Sequence, residues 1–187
     1  MTFEQAWERI SGMDGWLSLP EAKLLWTTAR STEGIILEVG CYKGRSTVLL
    51  ASLTGIDGEP RQVYSVDPFT GFDSADPSGD KVERAWRDNL ARFGIENVTL
   101  FRRRIEDWQP RGGMSWEELI GFAYLDGDHS YFGTCAQIER ALATSARVLA
   151  LHDVNDQGAG VFVEQAALEL LGPWSERVER LAVWKMP

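Results

Sequence analysis

Short, mainly apolar runs separated by longer amphipathic stretches dominate the chain from residue 34 onwards. Runs of this length and composition are typical of strands that are buried on both faces of a sheet. They predict strands over residues 35–39, 63–66, 98–101, 122–125 and 148–151. The stretches between them predict helices over residues 45–53, 80–93, 131–143 and 161–171. Strands that alternate with helices in this way predict a mostly parallel sheet with helices on both faces.

The two ends of the chain depart from this alternation. The first 30 residues are predicted to be helical, with Ser18 as the N-cap of a helix that has Pro20 in its first turn. Residues 177–186 leave little room for another crossover helix, so they predict an antiparallel strand or hairpin at the end of the sheet. Residues 68–79 are rich in proline, glycine and turn-forming side chains and predict a long loop, either functional or a surface excursion.

Length and composition favour one globular domain over residues 1–187, with residues 1–32 as a helical segment packed on it. The net charge of −9 disfavours nucleic-acid partners and anionic membrane surfaces, and the basic run at residues 102–104 is interpreted as a solvated strand end. No apolar run approaches the ~18 residues that span a bilayer. Two cysteines and no signal peptide favour a reducing, cytoplasmic setting.

Polar clusters follow directly after the predicted strands. In chain order these clusters begin at Gly40, Asp67, Arg102, Asp126 and His152. Because the carboxyl ends of parallel strands share one edge of a sheet, and ligands bind at that edge, we expect the clusters to form one site.

The turn after the first strand carries two glycines at positions typical of a nucleotide-binding loop. Gly40 permits a tight turn and a close approach of the backbone to a ligand, and Gly44 lets the next helix pack near the strand. Tyr42 stands where a dinucleotide fingerprint has its middle glycine, which argues against a nicotinamide or flavin cofactor. Asp67 is placed either to accept hydrogen bonds from two ribose hydroxyls or to cap a helix or loop.

Both histidines of the chain lie in the acidic clusters. The side chains that could converge as oxygen and nitrogen ligands are Asp126, Asp128, His129, His152, Asp153, Asn155 and Asp156. Such oxygen-rich sets suit magnesium, calcium or manganese. Structural roles compete with this hypothesis, since Asp128 or Ser130 could cap the helix near Tyr131 and His152 could be a hydrogen-bonded core residue.

These motifs together resemble the class I S-adenosylmethionine-dependent methyltransferases, and among them the small bacterial methyltransferase family 24. The resemblance is carried by ILEVGCYKGRST, SVDPF, YLDGDHSYFGT and VLALHDVN, and by the flanking GWLSLPEAKLLW and RLAVWKM. It covers nearly the whole chain from about residue 15. The family implies a Rossmann-like, doubly wound α/β fold whose seven-stranded sheet is mostly parallel with an antiparallel C-terminal strand.

The resemblance also implies roles for individual residues. Asp67 would bind the ribose hydroxyls, residues 103–106 would lie beside the adenine, and Asp126 would face the transferred methyl group. The cofactor-binding residues expected in and before the glycine turn are Glu38, Gly40, Tyr42, Gly44 and Ser46. In metal-dependent relatives the aspartate that matches Asp126 and one from the next strand end bind a divalent ion, which makes Asp153 the second candidate ligand. Val154 stands where such relatives carry a further acid or amide.

The resulting hypothesis is a methyltransferase that uses S-adenosylmethionine, with or without Mg²⁺ or another divalent cation, to methylate a hydroxyl of a small molecule. A hydroxyl acceptor needs a base, or a metal that lowers its pKa, so Asp126, His129 and His152 are the catalytic candidates. The aromatic side chains that could wall the acceptor pocket are Tyr42, Phe69, Phe72, Tyr131 and Phe132. We leave a homodimer open.

Two other functions are kept as alternatives. A nicotinamide-dependent oxidoreductase would share the fold, but Tyr42 in place of the middle glycine argues against it. A cofactor-binding module without catalysis is the second alternative. The density of acidic and histidine side chains at the predicted strand ends argues against that module, because a scaffold has no need of them.

Overall fold

Seven strands and six helices alternate along the chain in the computed structural model, which describes residues 1–70, 75–109, 119–155, 157–158 and 160–186. The strands are β1 Ile35–Val39, β2 Val63–Val66, β3 Val98–Phe101, β4 Ile120–Leu125, β5 Val148–Leu151, β6 Glu176–Val178 and β7 Leu181–Lys185. The helices are α1 Phe3–Ile10, α2 Leu19–Arg30, α3 Arg45–Ala51, α4 Asp80–Arg92, α5 Tyr131–Leu142 and α6 Gly160–Leu171. A 3-10 turn, Ile105–Asp107, follows β3.

The strand order in the sheet is β3-β2-β1-β4-β5-β7-β6. Strands β1 to β5 pair in parallel, and β7 runs antiparallel to both β5 and β6. The predicted fold class is therefore confirmed, and the tail forms the hairpin that was one of its two predicted structures. The order reverses direction at β1, so the ends of β1 and β4 form the crevice where ligands bind in such sheets.

Each strand of the sheet centre presents alternate side chains to two apolar layers. Ile36, Phe122 and Tyr124 pack on one face with the buried sides of α1, α2, α3 and α4. Leu37 and Leu125 pack on the other face with α5 and α6. Covering both faces explains why the strands are nearly continuous apolar runs, and it leaves only their ends for polar chemistry.

The N-terminal part differs from the sequence prediction. Helix formation stops between residues 11 and 18, so the predicted helical region is two helices joined by a turn. Ser18 is the N-cap of α2 as predicted, and it forms a reciprocal capping box with Glu21. Two smaller differences concern α3, which ends at Ala51 instead of residue 53, and β4, which begins two residues earlier than predicted.

The predicted loop at residues 68–79 contains neither helix nor strand in its described parts, residues 68–70 and 75–79. Phe72 in this loop and Asp156 after β5, both named as candidates from the sequence, lie outside the described residues. No helix within the described ranges is long and apolar enough to cross a membrane.

Candidate active site

The polar clusters that follow β1, β2, β4 and β5 meet at one edge of the sheet, as the sequence predicts. The register pairs Val39 with Val66 and Leu125, and Leu125 with Leu151, so these strands end level with one another. The first residues beyond them line two cavities that share Gly40 and Gly127.

The first cavity has a volume of about 320 Å³ and lies over the ends of β1 and β2. Its walls come from the glycine turn, the loop after β2, the 3-10 turn and the loop after β4. The lining residues are Val39, Gly40, Val66, Asp67, Pro68, Thr70, Arg104, Ile105, Glu106, Gly127, Asp128 and Gln137. Arg104 and Asp128 face each other across it, with 3.9 Å between the Arg104 Nη1 and Asp128 Oδ2 atoms.

Asp67 fixes the shape of the glycine turn. Its Oδ2 atom accepts hydrogen bonds from the backbone N–H groups of Cys41, at 2.8 Å, and Tyr42, at 3.0 Å. Its Oδ1 atom accepts one from the N–H of Phe69 at 2.6 Å. Burial raises the pKa of Asp67, and these three N–H groups oppose that rise. The carboxylate borders the first cavity while it holds the turn, and its contact with a ribose stays a prediction.

Gly40 needs to be glycine for two reasons. Its φ of +81° lies in the left-handed region, and a Cβ atom there would collide with the backbone of Asp126 and Gly127. The glycine turn after β1 and the loop after β4 therefore lie close together, and the first cavity meets the second at this point. Gly44, with φ +87°, begins α3 close to the Trp86 ring.

Glu38 lies beneath the glycine turn and borders neither cavity. Its carboxylate accepts hydrogen bonds from the hydroxyls of Ser46 (2.6 Å), Thr47 (2.7 Å) and Ser65 (2.7 Å). Burial raises the pKa of Glu38 to about 7, although the three hydroxyls oppose this rise. Glu38 therefore ties the start of α3 to β1 and β2, and the predicted contact with the cofactor's methionine part stays a prediction.

The second cavity, of about 90 Å³, lies over the ends of β1, β4 and β5. It contains the candidate catalytic and metal-binding residues together with part of the N-terminal segment. The lining residues are Asp14, Gly15, Trp16, Leu17, Gly40, Cys41, Tyr42, Arg45, Ser46, Tyr124, Asp126, Gly127, His129, His152 and Asp153. Tyr42 and Ser46, predicted at the cofactor, thus border this cavity.

Asp126 is surrounded by hydrogen-bond donors. Its Oδ1 atom lies 3.4 Å from the Nε2 atom of His129 and 3.4 Å from the Nδ1 atom of His152. Its Oδ2 atom accepts a hydrogen bond from the Tyr124 hydroxyl at 3.0 Å. Asp153, at the end of the adjacent strand, completes the group through its Oδ2 atom, which lies 3.5 Å from His152 Nδ1 and 3.6 Å from His129 Nε2.

Two residues that the sequence analysis missed complete this centre. Arg180, which follows β6, donates a hydrogen bond from Nη1 to Asp153 Oδ1 at 2.8 Å. Glu21, near the start of α2, places Oε2 3.4 Å from the Nε2 atom of His152. The only sequence signal for Glu21 is its capping-box spacing from Ser18, which indicates a helix start and gives no sign of the site.

The pKa values in this centre shift together. Burial would raise the pKa of Asp126, but His152 and His129 hold it well below its usual range. Burial would lower the pKa of His152, but Asp126, Asp153 and Glu21 raise it to about 12. The hydrogen bond to Asp126 raises the pKa of His129. At neutral pH the centre therefore consists of carboxylates held by a protonated His152.

Asp126, His152 and Asp153 each offer a ligand atom, and these atoms lie within 4.8 Å of one another. Two carboxylates and an imidazole are a donor set that suits a divalent cation. The same carboxylate oxygens face His152, His129 and Arg180, so a cation would compete with these side chains for them.

Asp128 and Ser130 have the local structural role that the sequence analysis offered as an alternative. Ser130 caps α5, and Asp128 accepts a hydrogen bond from the Ser130 N–H.

Backbone strain is concentrated around the two cavities. Among the described residues four non-glycine residues have positive φ, and three of them are Tyr42 (+45°), Phe69 (+58°) and Asp153 (+55°). Such conformations persist only where the surroundings impose them, and they cluster at functional sites.

The predicted aromatic wall is only partly present. The Tyr42 ring borders the second cavity and packs against Trp16, with ring centroids 5.2 Å apart. Phe69 is fully buried against Trp86. Tyr131 and Phe132 pack on each other at the start of α5, with Phe132 82% exposed. Trp16 and Tyr124, which the sequence analysis did not name for this wall, also line the cavity.

The fold and the site at its strand ends define a class I methyltransferase, which confirms the resemblance seen in the sequence. The chain belongs to methyltransferase family 24, whose model, described as a methyltransferase domain, matches residues 37–154, more than half of the chain. A search among curated proteins finds no significant sequence match.

Solved structures share this fold at low sequence identity. The O-methyltransferase TomG from Streptomyces achromogenes, in complex with S-adenosylmethionine, is 19% identical with a TM-score of 0.65, over 99% of this chain and 88% of that one. An O-methyltransferase from Bacillus cereus, in complex with S-adenosylhomocysteine, is 17% identical with a TM-score of 0.61, and the match covers 98% of this chain and 90% of that one. An rRNA methylase from Streptococcus thermophilus is 16% identical with a TM-score of 0.59, and the match covers 92% of this chain and 100% of that one. These likenesses show the fold alone.

Proposed function

We propose that this protein transfers the methyl group of S-adenosylmethionine to a hydroxyl group of a small molecule. The observation that carries this proposal is the junction of the two cavities at Gly40 and Gly127. A cofactor whose nucleoside occupies the first cavity would direct its sulfonium past Gly40 towards Asp126 and His129 in the second. The methyl group would then face the acidic centre.

The first cavity suits the nucleoside part of the cofactor. Asp67 lies at the end of β2, where an acidic residue can accept hydrogen bonds from ribose hydroxyls. Residues 104–106 border the same cavity, in agreement with their expected place beside the adenine. The methionine part would follow the glycine turn towards Tyr42 and Ser46, and Glu38 would support that turn from below. The structures of TomG and the Bacillus cereus enzyme with such ligands support the cofactor assignment.

The second cavity suits the acceptor hydroxyl. Methyl transfer from a sulfonium is an in-line displacement that needs an aligned oxygen lone pair and an acceptor for its proton. Asp126 and His129 border the cavity: the Asp126 carboxylate would accept a hydrogen bond from the hydroxyl, and His129 in its neutral form would receive the proton. His152 is predicted to be catalytic as well, and in our proposal its positive charge holds Asp126 and Asp153 in place instead of accepting a proton.

The proposal also includes a divalent metal ion that would assist the transfer. Asp126 and Asp153 would hold it, and His152 would join them only after losing its proton. When bound, such an ion lowers the pKa of a coordinated hydroxyl. Loss of activity in chelator, restored by Mg²⁺ or Mn²⁺, would support this part. Activity unchanged by chelator would remove it and leave Asp126 and His129 to act alone.

The alternatives make different demands on the same site. An oxidoreductase needs room for a pyrophosphate at the glycine turn, and the Tyr42 side chain is placed at that turn. A binding module without catalysis would leave the half-buried charge of Asp126 and the buried charge of His152 without a use, at a cost in desolvation. The rRNA methylase neighbour does not favour an RNA acceptor here, because the net charge is −9. A homodimer and a cytoplasmic location remain predictions from the sequence.

Isothermal calorimetry and a transfer screen test the proposal. We expect S-adenosylhomocysteine to bind and NAD⁺ to give no heat. Methyl transfer from labelled S-adenosylmethionine would then be followed over catechols, sugars and polyketides, with and without Mg²⁺. Binding of NAD⁺ in preference to S-adenosylhomocysteine would overturn the proposal in favour of the oxidoreductase. Binding of S-adenosylhomocysteine without any transfer would favour the module.

A further inference from the structure

Glu21 is a buried carboxylate on α2, a helix that comes before the first strand of the sheet in the chain. It is only 1% exposed. Its Oε2 atom accepts a hydrogen bond from the Ser18 N–H at 2.9 Å, and its Oε1 atom accepts one from the Arg180 N–H at 3.1 Å. Capping α2 does not require burial, because a capping glutamate can stay in water. A buried charge needs partners, and the charged groups near this one are His152, 3.4 Å from Oε2, and the Arg180 guanidinium, whose Nε lies 4.0 Å from Oε1.

His152 connects Glu21 to the two catalytic carboxylates. The ring is 2% exposed, with Nδ1 towards Asp126 and Asp153 and Nε2 towards Glu21 at 3.4 Å. Within the described part of the chain, Glu21 is the only acidic side chain recorded within 4 Å of Nε2, and the contact falls short of good hydrogen-bond geometry. Glu21 therefore acts on Nε2 through its charge, and without Glu21 the ring would lose the acidic group that faces this buried atom.

Arg180 provides a second link from Glu21 to the same centre. Its backbone N–H is fixed by Glu21, and its guanidinium donates to Asp153 and to the backbone oxygen of Trp16. Asp153 is therefore held from one side through His152 and from the other through Arg180. Glu21 itself lines neither cavity, so its effect on the site would pass through His152 and Arg180.

We propose that Glu21 is a positioning residue of the active centre, which fixes the His152 ring and thereby the separation of Asp126 and Asp153. This inference rests on the function proposed above. A carboxylate that orients a histidine from behind is a recurrent arrangement at active sites, where the histidine contacts the reacting groups and the carboxylate sets its direction. Here the carboxylate comes from α2, so in this proposal α2 is needed for catalytic geometry as well as for packing.

The test compares Glu21→Gln with Ser18→Ala, because both change a capping-box residue and only the first changes the charge that faces His152 and Arg180. Gln also caps helices, and in either orientation of its amide it removes the negative charge that faces Nε2. We expect Glu21→Gln to lower kcat by about 10–100-fold, with KM for S-adenosylmethionine changed less than about twofold. Ser18→Ala should keep kcat near the wild-type value. Glu21→Asp keeps the negative charge but places it further from Nε2, because the side chain is one methylene shorter. This variant should lower kcat by an intermediate amount.

Nitrogen NMR of the imidazole rings gives a readout that does not depend on activity. The chain has two histidines, so the two rings can be assigned with a single His129→Gln variant. We expect the His152 ring signals to move in Glu21→Gln and Glu21→Asp, and to stay in place in Ser18→Ala.

Unchanged kcat and unchanged His152 signals in both Glu21 variants would overturn the inference. An equal loss of kcat in Ser18→Ala would also overturn it, because the effect would then come from helix capping. If the wild type binds S-adenosylhomocysteine but methylates no acceptor, the proposed function fails separately, and the NMR signals still show whether Glu21 fixes the ring.

Discussion

Single residues at the cavity junction have little freedom to change, and Gly40 shows this most clearly. It combines a positive φ with contact against the backbone of the neighbouring loop. A side chain there meets peptide atoms that cannot move without displacing Asp126. The constraint therefore comes from the site and adds to the ordinary cost of the backbone conformation.

Gly40→Ala and Gly58→Ala separate these two costs. Gly58 has φ +84° and no atom within 4 Å of an added Cβ, so its substitution should lower the free energy of unfolding by only about 1–2 kcal/mol. We expect Gly40→Ala to cost clearly more in urea denaturation and to abolish binding of S-adenosylhomocysteine. Equal losses of stability in the two variants, with binding retained in Gly40→Ala, would show that the loops are not in close contact.

The sequence predicts the residues that follow strands better than those brought in from elsewhere. Asp126 and Asp153 could be placed because each comes directly after an apolar run, and parallel strands share an edge. Glu21 and Arg180 are 159 positions apart and meet only after α2 and the C-terminal hairpin have packed. No periodicity or spacing in the sequence predicts the contact between Glu21 and Arg180. Trp16 was missed for a related reason, since it lies in the turn that interrupts the predicted N-terminal helix.

At the scale of elements, the central question is what holds α3 against the sheet so that the glycine turn keeps its shape. Glu38 of β1 joins Ser46 and Thr47 of α3 to Ser65 of β2. Thr47 in turn accepts a hydrogen bond from the Trp86 indole of α4 at 3.1 Å. Four elements thus meet at one buried carboxyl group. The sequence predicted each of these elements, but it offered no sign that this acid lies below the turn.

Glu38→Gln should change how stability depends on pH. The pKa of Glu38 is about 7 in the folded protein, against 4.5 for the unperturbed group. Between these two pH values the folded protein keeps a proton that the unfolded chain has lost. The wild type should therefore lose about 3 kcal/mol of unfolding free energy as pH rises through this window, relative to Glu38→Gln. Above about pH 7 the difference should stay constant.

Urea titrations at a series of pH values measure this difference. Glu96→Gln, at an exposed position of the surface, is the matched control for the loss of one negative charge. Parallel pH profiles for the wild type and Glu38→Gln would show that Glu38 is already ionised in the folded protein below pH 7. That result would contradict the effect of burial on this carboxyl group.

At the scale of the whole molecule, the proposed active site lies where two halves of the structure meet at the sheet edge. The parallel half supplies the glycine turn, Asp67 and Asp126. The chain ends supply α2 and the hairpin with Arg180, which close the acidic centre from the opposite side. The seven-stranded order could be expected from the family resemblance, whereas the way the N-terminal segment completes the second cavity could not. Residues 14–17 border that cavity, so the acceptor would contact both halves.

Asp126→Asn tests the central claim most directly, because the change is isosteric and removes only the charge that faces the acceptor hydroxyl. The measurement is the single-turnover rate of methyl transfer from S-adenosylmethionine to the acceptor found in the screen, with calorimetry of S-adenosylhomocysteine on the same sample. We predict that the rate falls by about 10²–10⁴-fold while the affinity for S-adenosylhomocysteine stays within a few-fold of the wild type. Full transfer activity in Asp126→Asn would contradict the assignment of this centre as the site of methyl transfer.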